Sequence, residues 1–131
     1  MVVAGKIFKL TEQMALSDIA SKLSNHKKEE QHEEAEYKFT LITEVVQLRT
    51  SESSLRGIYS HDYVTHVFHR GKVLPLPRTV EALFSFSQHD NRTLLTVVER
   101  KIMANFIANR LGEVIYERTL RLLKLEFHLR L

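Results

Sequence analysis

The chain has 131 residues, with 19 Lys and Arg against 16 Asp and Glu for a net charge of +3, and it contains no cysteine. That length makes one ordinary domain with its own core, and the lack of cysteine excludes disulfides, a thiolate nucleophile and Cys-ligated zinc or iron–sulfur centres. The opening MVVAGKIFKL breaks its apolar run at Lys6 and Lys9, and no stretch approaches the roughly eighteen apolar residues of a membrane span, so a soluble cytoplasmic protein without signal peptide is expected. Charge is uneven: residues 1–48 carry 6 basic against 8 acidic side chains and residues 49–131 carry 13 against 8. Such a slant can mark an anionic partner, although solubility alone produces differences of this size.

Val2 to Leu10 is rich in β-branched and aromatic residues and predicts a first strand. Leu16, Ile19, Ala20 and Leu23 then recur at i, i+3, i+4 and i+7, an amphipathic helix for which Thr11 or Ser17 could supply the cap. This stretch, MALSDIASKLSN, resembles the first helix of the helix-turn-helix of bacterial and archaeal regulators. The resemblance implies that the next helix enters a DNA groove, but Glu29, Glu30, Glu33 and Glu34 follow, and phosphates repel them. The polar run from Asn25 to Glu36 reads as a solvated continuation of the helix or as a mobile connection.

Tyr37 to Thr50 reads as a long strand whose apolar row changes face near Val45 and Val46, which a β-bulge explains. After a turn at Ser51 to Ser54, Leu55 to Arg70 is either one strand or a hairpin broken at His61-Asp62. Arg70-Gly71-Lys72 predicts a turn, and the prolines of Val73 to Pro77 demand extended chain at an edge or in a crossover. Thr79 to Gln88 alternates Val80, Ala82, Phe84 and Phe86 against polar neighbours, with Leu83 the exception. It should form a hairpin with Arg92 to Glu99. A second helix is expected from about Glu99 to Thr119, some 30 Å long.

Leu123 to Leu131 alternates without exception, a half-buried strand that either closes an internal sheet or offers an edge to another chain; its halt in mid-pattern leaves open a longer protein. The expected fold is α+β: an antiparallel sheet of about five to six strands with two long helices packed on one face, in the order β-α-β-β-β-β-α-β, forming a single domain over residues 1–131.

Candidate chemistry is sparse. His61, His66 and His69 on one strand alternate faces and spread over about 26 Å, so a shared metal ion would need a hairpin at His61-Asp62. Glu29 and His32 have the Glu-x-x-His spacing of di-iron bundles, but in a single copy. Ser60-His61-Asp62 and Ser87, His89, Asp90 name a catalytic triad without being able to converge into one. Four scattered glycines give no phosphate loop. No catalytic residue, metal or cofactor is therefore assigned, and an enzyme is the least favoured class.

The sequence instead predicts a non-catalytic binding or assembly module that forms homo-oligomers through a sheet edge at Leu123, Leu125, Phe127, Leu129 and Leu131. Its basic half, through Arg70, Lys72, Arg78, Arg92, Arg100, Lys101 and Arg110 with Tyr59, Tyr63 and Phe68 nearby, could contact nucleic acid. The alternatives are a small-ligand pocket between sheet and helices lined by Phe84, Phe86, Phe106 and Phe127, and, behind it, a histidine-based metal enzyme.

Overall fold

The computed structural model describes residues 2–10, 12–99, 104–116 and 123–130. It is an α+β structure in which β1 (Val2–Lys9) and α1 (Leu16–Ser24) precede five successive strands, β2 (Lys27–Glu34), β3 (Tyr37–Thr50), β4 (Ser54–His69), β5 (Lys72–His89) and β6 (Arg92–Glu99). Helix α2 (Ala104–Tyr116) and β7 (Leu123–Arg130) complete it. All seven strands form one sheet in the order β2-β3-β4-β5-β6-β1-β7, and every pairing is antiparallel. Strands β2 to β6 are a meander, while β1 slots between β6 and β7.

Both helices lie on the same side. Ile19 and Leu23 of α1 and Ile107, Leu111 and Ile115 of α2 join one core with Leu55, Tyr59, Phe84, Phe86, Leu95, Val97 and Phe8 of the sheet. The strand residues in that set are cross-strand neighbours of one another, as in Leu55 opposite Phe86 and Phe86 opposite Leu95, so they share one face. Gly57 belongs to the same row because nothing larger fits: a Cβ there would stand 2.7 Å from Phe84 Cζ and 3.2 Å from Leu48 Cδ1.

The turns follow local chemistry. Asp90-Asn91 and Arg70-Gly71 both have positive φ at the two central positions, 48° and 64° and then 49° and 76°, which is the two-residue hairpin turn whose twist suits antiparallel strands. Strand β4 runs unbroken through His61-Asp62. The bulge falls between Val46 and Arg49, with Gln47 at φ 53°. It places Leu48 against the core and returns Arg49 to the same face as Val46.

Several expectations need correction. Residues 27–34 form strand β2, not helix or connection, which makes the order β-α-β-β-β-β-β-α-β and raises the strand number to seven. The hairpin with β3 overrides the helical charge spacing, because each β2 residue from Lys27 to Glu34 finds a ladder partner. The helices are short, 9 and 13 residues, and Glu99 ends β6 instead of opening α2. Helix α1 is preceded by Ala15 and has no side-chain cap; Ser17 lies inside it, and Thr11 is outside the described residues. Among the described residues no helix is long and apolar enough to cross a membrane.

Beyond His61, β4 and β5 leave the sheet. β3 pairs with β4 only as far as His61 and β6 pairs with β5 only from Leu83, so residues 62 to 79 project as a two-stranded arm roughly 25 Å long. Pro75 and Pro77 sit where β5 has no second neighbour to ask for an N–H.

Candidate binding surfaces

The face turned away from the helices carries an apolar row running across the sheet. Val46 is opposite Ile58, Ile58 opposite Leu83, Leu83 opposite Val98 and Val98 opposite Gly5, so the row crosses β3, β4, β5, β6 and β1 at one level. Leu83, the residue that broke the alternation in the sequence, is 59 % exposed at its centre. Among the described residues no element covers this row.

Charges flank it in order. One repeat along the strands in one direction stand Glu44 and Glu81, on either side of Ser60. One repeat in the other direction stand Arg56 and, directly opposite it, Arg49. Two like charges facing each other across a ladder are unfavourable on their own. Among the described residues none of these four side chains makes an ion pair.

On the helix side, a pocket of about 120 Å³ opens between α2 and strands β2, β3 and β4. His61 lies on its floor, with Nδ1 2.8 Å from Thr43 Oγ1 and its ring 5.2 Å from that of Phe106. Arg110 stacks 5.2 Å over the Phe106 ring and pairs with Glu113 at 3.3 Å, while Lys28 and Glu30 close the opposite wall. Burial, then the charge of Arg110, holds the His61 imidazole below its usual pKa against the opposing pull of Asp62 and Glu30. Burial and then Lys28 do the same to His26. Tyr59 beneath is pushed up to about 12 by burial. The pocket is thus lined by neutral imidazoles, an un-ionised phenol and two charges of each sign.

The arm is tied to the sheet by two carboxylates. Where β3 parts from β4, Asp62 accepts the Ile42 N–H at 2.9 Å and the Thr79 hydroxyl at 2.6 Å. Further out, Glu34 at the end of β2 meets His66 Nε2 at 2.7 Å and His32 Nε2 at 3.3 Å. The His66 hydrogen bond is the main cause holding Glu34 below its ordinary pKa. The arm ends in exposed Phe68, Val73 and Val67.

The residues named from sequence fall in separate places. Arg70 and Lys72 are at the arm tip, Arg92 is at the far end of the 18-residue β5, roughly 55 Å away, and Arg110 is over the pocket. Arg78 donates to Thr65 Oγ1 at 3.2 Å on the arm; Arg100 and Lys101 lie outside the described residues. Phe84 and Phe86 pack edge-on inside the core and line no opening, whereas Phe106 stands beside the pocket. β7 pairs with β1 from Leu123 opposite Lys9 to Arg130 opposite Val2, with Phe127 opposite Gly5 and Leu125 opposite Ile7. Its other edge has no strand partner among the described residues, and Leu131 lies outside them. No cluster of three or more His, Asp or Glu that could hold a metal is found among the described residues. Sequence reasoning missed His26, Glu30, Thr43 and Glu113 because the pocket exists only once residues 27–34 are a strand. The cross-sheet row was missed too, and Leu83 was its one visible signal.

The architecture defines the class: a single antiparallel sheet roofed on one side by two helices. No family model, curated protein or solved structure matches the chain.

Proposed function

We propose that this protein is a non-catalytic assembly module that associates with further copies of itself through its sheet. The observation that carries the proposal is the apolar row on the face away from the helices, which no described element covers and which is centred on the exposed Leu83. Apolar side chains aligned across the four strands β3 to β6 gain by being removed from water, at about 25 cal/mol for each Å². The edge of β7, Leu123–Arg130, that has no strand partner among the described residues is a second route to the same outcome. Nucleic-acid contact is less favoured, because the described members of the basic set, Arg70, Lys72, Arg78, Arg92 and Arg110, are spread over the arm tip, the arm, the far end of the sheet and the pocket. Light scattering should give a concentration-dependent mass above that of one chain. A single-chain mass at every concentration rejects the proposal.

A second reading rests on the pocket. Its volume of about 120 Å³ is room for several waters or one small polar molecule. Its mixed charge suits a ligand bearing both signs. Native mass spectrometry should then show a retained small mass that Arg110→Ala removes; an unchanged bare-chain mass across candidate zwitterions sets this reading aside.

A further inference from the structure

We infer that two copies associate face to face, with a two-fold axis running along the Val46-Ile58-Leu83-Val98 row. This rests on the self-association reading and names its surface. Turning a copy over about an axis along the row keeps each strand at its own level across the sheet and reverses the direction along the strands. The apolar row then meets itself. Glu44 of each copy then comes to lie over Arg49 of the other, and Glu81 comes to lie one strand to the side of the other copy's Arg56, roughly 5 Å across the sheet.

Four observations agree on this one occupant. The row is apolar on neighbouring strands and Leu83 is exposed. The flanks are one repeat away on either side, roughly 7 Å, so they superpose after the turn. The Arg49–Arg56 pair is unfavourable within one chain and is relieved by carboxylates from the other. The bulge at Gln47 is what brings Arg49 to this face at all. Strands of the two copies run nearly aligned in this arrangement, which is how twisted sheets stack about 10 Å apart. Three rows over the four strands β3 to β6 cover roughly 20 by 20 Å on each copy. That is smaller than a standard specific interface, so the dimer is weak and reversible.

A charge-swap experiment on the full chain tests it. Arg56→Glu sets acid against acid across the axis, and Glu81→Arg sets base against base, so each variant alone should dimerise about tenfold or more weakly than the wild type. Mixed one to one, they should form a heterodimer, because both contacts across the axis are then complementary. Sedimentation with one variant fluorescently labelled reads the mixture, and circular dichroism confirms that both exposed-site variants are folded. Leu83→Glu should also weaken the dimer. If the wild type associates and none of these changes alters it, the face-to-face arrangement is wrong while self-association stands, and Leu125→Lys then tests the β7 edge. A wild type that stays monomeric at every concentration overturns both.

Discussion

Ala35, at the β2–β3 turn, has φ 54°, a conformation in which its Cβ crowds the carbonyl. Ala35→Gly should raise the free energy of unfolding, measured by chemical denaturation, by about 0.5–1 kcal/mol, even though glycine also loosens the unfolded chain. Gly57 is the opposite case. Gly57→Ala forces its new methyl into Phe84 and Leu48 and should cost about 1–3 kcal/mol, read in the same unfolding experiment. His26 and His61 set a pH dependence. Their folded-state pKa values lie below that of the unfolded chain, so below about pH 6.5 the unfolded state binds more protons and stability falls as pH drops toward the folded values. Unfolding at pH 7 and pH 5 should show this loss, and His61→Gln with His26→Gln should shrink it; equal loss in the double variant would assign it elsewhere. At the alkaline end Tyr59 has the reverse sign. Its stabilising contribution is complete below pH 10 and disappears toward pH 12.

Among the elements, the β4–β5 arm depends most on single side chains, since beyond His61 it has no third strand. Asp62→Ala removes the partners of the Ile42 amide and the Thr79 hydroxyl together. It should cost about 1–3 kcal/mol and speed hydrogen exchange at Ile42 and along residues 62–69, while β6 exchanges unchanged. Uniform acceleration would mean that Asp62 supports the whole fold and not the arm. The sequence was legible here where hydrophobic alternation and turn chemistry agree. The bulge after Val46 was signalled by a change of apolar parity, and the β5–β6 hairpin by Asp90-Asn91. It was not legible at residues 27–34, where every side chain is charged or polar and the strand exists through its ladder to β3 alone. The unbroken course of β4 was equally hidden, because His61-Asp62 is good turn chemistry locally and is held extended by pairing with Val80 and Thr79.

At the scale of the molecule, the sidedness of the sheet is the property from which the functional proposal follows. The alternating strands foretold an apolar face under two helices, and Leu55, Phe84, Phe86, Leu95 and Val97 provide it. What lies on the other face could not be read from any one strand, since Val46, Ile58, Leu83 and Val98 become a row only when register is known. The most direct test of self-association is sedimentation equilibrium of the wild-type chain across a wide concentration range, at low and high salt. The account predicts a reversible rise from the 15.3 kDa of one chain toward twice that mass, weaker in high salt because the flanking charges are screened. A constant single-chain mass under both conditions would contradict it.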